Sequence, residues 1–485
     1  MLTRRVRAPR IDFSELRREL SLPTGFPPAA AREAQEAARA VRLPRADRTD
    51  IAFVTIDPAT SRDLDQAMCL LRRGRGYRVH YAIADVASFV RPGGELEAET
   101  WRRGQTVYLP DGKVPLHPET LSEGAASLLP GVERAAVVWT VDLDADGGTT
   151  AVHVERAEVR SRAKLDYAGV QADADAGRAA EPVALLSELG RLLVARGLSR
   201  GAVNLPMPEQ EVEADGDDGG PGWRLVLRAP EPVEEYNAQI SLLTGMVAAQ
   251  LMLDGGVGLL RTMPAPHPDA VRRLRVAARS LRIDWPAGAS VGELIATLDP
   301  AEPAVAALLD QAAELMRGAG YTAFDGPAPA DPAHGAVAAP YAHVTAPLRR
   351  LADRYATEVA LALHEGREVP EWARLALPKL PEVMALTDRV TSAAERGAVE
   401  LTEAVLLAGR VGEEFDAAVL DVADPPRSGG TVAVDHPPVR ARCEGDLPLG
   451  GRVRVRLVEA DPTRRRVLFR HLGTASASAS AEAGG

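Results

Sequence analysis

Apolar and polar positions alternate with three different rhythms along the chain. Helical spacing runs through 13–20 and 28–41, and Leu22-Pro23-Thr24-Gly25-Phe26-Pro27-Pro28 forces a turn between them, with Ser14 placed to cap the first helix. The middle mixes both periods. The run at 51–56 is continuously apolar and predicts a buried strand; 77–86 and 137–143 read as strands, the second closed by Asp146-Gly147-Gly148, and 96–103 returns to helical spacing. Helices then dominate, over 185–196, 234–253, 270–281, 303–316, 349–364 and 381–407, with the acidic, Gly-rich piece 214–222 as a surface hairpin loop. From Gly412 the pattern changes to short strands over 415–422, 431–434, 439–443, 452–458 and 466–470, which fit an OB-type barrel.

These rhythms predict an α+β chain in four parts. Residues 1–48 form a small helical module, either helix-turn-helix-like or a packing arm, and 49–408 the main body. Residues 409–473 form the barrel, and 474–485, small and polar, a disordered tail.

Chemistry concentrates directly after the first buried run. Asp57-Pro58-Ala59-Thr60-Ser61-Arg62-Asp63-Leu64-Asp65-Gln66 places three carboxylates within nine residues, a cluster that repels itself unless a cation sits in it. Mg²⁺ takes oxygen ligands and leans on a few carboxylates plus substrate phosphates. A solvated acidic turn is the plainer alternative. A calcium-binding EF-hand is excluded, because Ala59 and Ser61 occupy the alternating ligand positions. Far downstream, Tyr341-Ala342-His343-Val344-Thr345-Ala346-Pro347-Leu348-Arg349-Arg350-Leu351-Ala352-Asp353-Arg354 sets paired arginines at the start of an apolar-periodic helix. Phosphate binds well at such a helix N-terminus, although the arginines could equally be salt-bridge partners.

Together the two segments resemble the signature of the ribonuclease II superfamily, the RNB-domain exoribonucleases. Other segments follow in the family's order: Tyr81-Ala82-Ile83-Ala84-Asp85-Val86-Ala87, Arg103-Gly104-Gln105-Thr106-Val107-Tyr108-Leu109-Pro110, Pro115-Leu116-His117-Pro118-Glu119-Thr120-Leu121-Ser122, Ser127-Leu128, Ser161-Arg162-Ala163-Lys164-Leu165-Asp166-Tyr167, Glu234-Glu235-Tyr236 and Ala394-Glu395-Arg396. The resemblance spans residues 50–470 and implies an RNB catalytic domain followed by an S1-like barrel. It also implies processive 3′-to-5′ hydrolysis of single-stranded RNA to nucleoside 5′-monophosphates, with Mg²⁺ as one or two ions, or Mn²⁺ in its place.

By the same resemblance Asp57, Asp63, Asp65 and Gln66 hold metal, and Asp65, Arg349 and Glu395 are catalytic. Tyr108 and Tyr167 stack on terminal bases or, alternatively, pack in the core. Arg350 touches RNA or supports the site through a salt bridge. Two departures stand out. Gln66 occupies a position where the family usually has a second adjacent carboxylate, and Leu205 one where some members carry a clamping aromatic. A catalytically inactive RNA-binding or regulatory protein is therefore the alternative reading.

Composition narrows the setting. The net charge of −11 opposes a polyanion, yet Arg4, Arg5, Arg7 and Arg10 begin the chain, and nine arginines fall between Arg440 and Arg470. Basic ends on an acidic body suggest RNA-gripping surfaces. With no apolar run long enough to span a bilayer and no signal segment, the expectation is a cytoplasmic monomer without membrane contact or small-molecule cofactor. Cys69 and Cys443 fall in different predicted parts, against a disulfide framework.

Overall fold

A six-stranded sheet carries the site. In the computed structural model, which describes residues 3–8, 10–215, 222–423 and 428–472, its order is Thr149–Arg160, Glu133–Leu143, Gly76–Ala84, Gln66–Arg73, Val54–Ile56, Ala163–Leu165. Neighbours run antiparallel except the last pair, which is parallel. Both faces of the central strands are covered, which is why they read as nearly unbroken apolar runs. On one face Met68, Tyr81, Ile83 and Trp139 pack against Ile240 and Leu243 of the helix Pro232–Gly255 and Tyr355 and Val359 of the helix Leu351–His364. On the other, Ala67, Cys69 and Ala82 meet Phe53, Leu64, Leu96 and Ala34 of the helix Pro28–Ala40. Val54–Ile56 and Gln66–Arg73 are neighbours in this sandwich, so the loop between them, with its carboxylates, emerges at one sheet end.

The barrel closes in the order Glu414–Val422, Gly430–Val434, Arg440–Glu444, Arg466–His471, Arg452–Asp461, five strands at the expected places. Its core is not self-contained. Leu225, from the strand Gly222–Arg228, and Leu407, the last residue of the helix Leu380–Leu407, are buried with Phe415, Val455 and Phe469.

Three expectations change. The helix expected from 349 begins at Leu351, because Arg350 is extended (φ −133°, ψ 126°) and bridges Gln105. Helices Ser14–Glu19 and Pro28–Ala40 lie where the spacing puts them, but Ser14 is inside its helix rather than capping it, and its N–H donates to Asp12 Oδ1 at 2.9 Å. Ahead of them Thr3–Ala8 is a strand, paired antiparallel with Gly222–Arg228, which in turn pairs with Glu209–Asp215. The tail expected to be disordered lies outside the described residues, as do 216–221 of the expected hairpin loop. Among the described residues no helix is long and apolar enough to cross a membrane.

Candidate active site

The acidic loop is held open by hydrogen bonds at both ends. Asp57 follows Val54–Ile56 and donates its N–H to Leu165 O at 3.1 Å. Lys164 Nζ donates to the carbonyls of Ala59 and Ser61, both at 2.6 Å, and closes the turn. Ser127 Oγ donates to Arg62 O at 2.7 Å and accepts from Leu64 N–H at 3.0 Å. Leu64 is fully buried, so the alternation of an extended chain turns Asp63 and Asp65 to the opposite side together.

Burial opposes the ionisation of two of these carboxylates, Asp57 and Asp65. It pushes the Asp57 carboxyl up to about 6, with Lys164 pulling back and Asp63 adding to the rise. Asp65, 5% exposed, is pushed up to about 8 by burial, against the pull of the Arg349 guanidinium and the Leu348 N–H. Asp63 stands 3.0 Å from Lys113 Nζ and accepts from Tyr108 Oη at 3.1 Å. Hard oxygen donors whose ionisation the protein only partly supports fit a divalent cation. Among the described residues, however, no three carboxylate, His or Cys groups already stand together as a cage, and Asp63 would have to give up Lys113 to join one.

Across from the carboxylates runs the segment 345–350, anchored at nearly every residue. Leu348 N–H donates to Asp65 Oδ1 at 2.7 Å, and its carbonyl meets Nδ1 of the buried His117 at 3.1 Å. Ala346 N–H donates to Asp353 Oδ1 at 2.7 Å, and Arg349 O accepts from Thr106 N–H at 2.9 Å. Thr345 Oγ1 pairs with Ser241 Oγ at 2.7 Å. The two arginines then part. Arg350 forms a two-pronged pair with the fully buried Asp353 at 3.0 and 2.9 Å, the geometry of its supporting-salt-bridge alternative. Arg349 keeps a half-exposed side chain with Nε 3.9 Å from Asp65 Oδ2.

The remaining sequence candidates lie around this centre at different depths. Tyr108 is 41% exposed with its hydroxyl tied to Asp63, which leaves a ring available at the mouth of the site. Tyr167 is half-buried at the start of the helix Tyr167–Asp175; burial and nearby Asp57 push its hydroxyl up to about 12, and Asn237 Nδ2 donates to it at 3.3 Å. Glu395 is exposed on the helix Leu380–Leu407, whose Ala394 and Ala398 pack with Val107 and Leu109, the neighbours of Tyr108. Gln66 has both ends of its amide engaged: Nε2 donates to Thr345 O at 2.5 Å, and Oε1 accepts from Tyr81 Oη at 3.1 Å.

Sequence reasoning passed over Lys113, Lys164 and Asp353. A signal existed for the first two. The chain has only three lysines among its many arginines, and two of them touch the acidic loop.

Comparison with known proteins gives the same outline. The profile of the RNB domain matches residues 45–363, and that of the RNase II-type exonuclease C-terminal S1 domain matches 413–472. The exosome complex exonuclease dis3 of Schizosaccharomyces pombe is 29% identical over 397 residues, 78% of this chain but only 40% of its own length. Among solved structures, Mycoplasma genitalium RNase R in complex with ribose-methylated single-stranded RNA superposes with a TM-score of 0.81 at 19% identity, covering 95% of this chain and 77% of that one. Yeast Ssd1, a pseudonuclease, superposes at 0.66 and 17% identity, covering 92% and 54%. At such identities the two superpositions establish the shared fold.

Proposed function

This chain belongs to the RNB-domain family, and from that premise we propose that it hydrolyses single-stranded RNA from the 3′ end, processively, to nucleoside 5′-monophosphates. Nucleases of this family are generally divalent-metal dependent; here one or two Mg²⁺ ions, or Mn²⁺, would be held by Asp57, Asp63 and Asp65. When bound, such an ion activates water and offsets charge on the leaving oxygen. The observation that carries the reading is Arg349, half-exposed and 3.9 Å from the buried Asp65 on a segment anchored at nearly every residue. In this reading that guanidinium donates to the scissile phosphate as negative charge develops there. Arg350 steadies the segment through Asp353. Tyr108 and Tyr167 stack on terminal bases, an interaction of roughly 1–3 kcal/mol per base, and Glu395 lies beside the terminal nucleotide. RNA is preferred because a site can hydrogen-bond the 2′-hydroxyl. The protein acts as a cytoplasmic monomer.

One observation favours a second reading, an RNA-binding protein without catalysis. Lys113 already neutralises Asp63, and the carboxylates do not form a ready cage. A single experiment separates the two. The protein is incubated with RNA labelled at the 5′ or the 3′ end, with Mg²⁺ or with EDTA. The nuclease releases labelled mononucleotide first from the 3′-labelled strand and only with Mg²⁺. Retarded but uncut RNA under both conditions establishes the binder.

A further inference from the structure

Gln66 opens the strand Gln66–Arg73, one residue after Asp65, and the two side chains leave an extended chain toward opposite faces. Both nevertheless reach the same segment. Asp65 Oδ1 accepts from Leu348 N–H at 2.7 Å, while Gln66 Nε2 donates to Thr345 O at 2.5 Å. The segment 345–348 thus straddles the beginning of the strand and is gripped from both sides. We propose that Gln66 is a positioning residue: its amide fixes the segment that presents Arg349. This deepens the nuclease reading and rests on it for its kinetic part.

The chemistry of the position explains why a neutral amide stands there. Thr345 O can only accept, so a donor must face it, and the oxygen of the same amide is left to accept from Tyr81 Oη at 3.1 Å. Tyr81 is 1% exposed on a central strand of the sheet, so that end of the tether is immobile. A carboxylate of the same length would set oxygen against the Thr345 carbonyl, and an Asp side chain, one carbon shorter, would withdraw from it. Thr345 is itself 2% exposed and pairs through Oγ1 with Ser241 on the helix Pro232–Gly255. Gln66 therefore completes a line from the sheet through Thr345 to that helix. The function of the line is to keep Arg349 over Asp65. Misplacement of a catalytic group by about 1 Å can cost on the order of 100-fold in rate.

The test uses the whole chain carrying Gln66→Glu or Gln66→Met, the second preserving length and burial without either hydrogen bond. With single-stranded RNA as substrate, both variants are expected to lose roughly 10- to 100-fold in kcat, with KM for RNA and the Mg²⁺ concentration for half-maximal rate each within about 2-fold of wild type. In parallel, amide hydrogen exchange without added metal should accelerate at 345–350 in both variants. A higher Mg²⁺ requirement with unchanged exchange would make Gln66 a metal-site group instead and overturn the proposal, as would a wild-type kcat in Gln66→Met. If the wild-type protein cuts no RNA, the nuclease reading fails while the exchange measurement still decides whether Gln66 holds the segment; unchanged exchange then refutes it.

Discussion

Arginine is used in opposite ways on the barrel and beside the acidic loop. On the barrel, Arg454 and Arg456 stand directly across from Asp416 and Glu414 in the strand register, with ion pairs of 3.0 and 2.8 Å. Arg452 pairs with Asp435, Arg466 with Glu459 at 3.2 Å and Arg470 with Glu444 at 3.2 Å. Beside the loop, Arg349 faces a carboxylate at 3.9 Å that burial holds back from full ionisation, and nearly half of its side chain stays exposed. Eight of the nine arginines that suggested a basic RNA-gripping end are thus spent on ion pairs, four of them across neighbouring strands, whereas one arginine in an acidic setting keeps an exposed, loosely paired guanidinium. Counting charges along a sequence cannot distinguish the two; strand register can.

The comparison predicts unequal consequences for equal changes. Arg349→Ala should lower the single-turnover hydrolysis rate on single-stranded RNA by about 100-fold or more, with RNA affinity changed only a few-fold. A rate near wild type would put Arg349 on the same footing as the barrel arginines.

A second effect lies where the barrel joins the body. Glu403, 4% exposed, accepts from Arg440 N–H and Gln210 Nε2, both at 2.8 Å, and burial pushes its carboxyl up to about 7 from 4.5. A folded value above the unfolded one means that its contribution to stability is complete below 4.5 and is lost as pH rises through about 7. Glu403→Gln, which keeps the acceptor and removes the charge, should match wild type in urea unfolding at about pH 4, below the unfolded value. At about pH 8.5 it should exceed wild type by up to roughly 3 kcal/mol. Equal stability at both pH values would show that the junction relaxes around the charge.

The smallest effect is expected on the barrel itself. Replacing Arg454 and Arg456 together by Ala should change RNA affinity by less than about 2-fold and the salt slope by less than about one counterion, since both cations already have protein partners. A steep fall in affinity and slope would show that RNA displaces Asp416 and Glu414, and that the barrel grips through them. Point changes suit this test better than truncation, because removing the barrel would uncover Leu225 and Leu407.

Local signals carried far. The alternation over 439–443 and 452–458 foretold barrel strands, and the apolar run before Asp57 foretold the strand that ends at the site. Long-range pairing did not show. Thr3–Ala8 becomes a strand only because Gly222–Arg228 offers an edge, and a six-residue basic segment gives no such sign. Arg349 and Arg350 read as one helical pair, since nothing local reveals that Gln105 draws Arg350 into a bridge and Asp353 claims its guanidinium. Gln66 read as one more oxygen in an acidic run. Its carbonyl partner lies 279 residues away, at Thr345.

In the proposed nuclease, chemistry depends on the buried carboxylate facing Arg349 while RNA is held elsewhere. Asp65→Asn separates the two, with cleavage of single-stranded RNA followed in Mg²⁺ and RNA affinity measured in EDTA. Mononucleotide release should disappear while affinity stays within about 2-fold of wild type, because the substitution leaves the proposed stacking and phosphate contacts untouched. Hydrolysis persisting within a few-fold of wild type would contradict it.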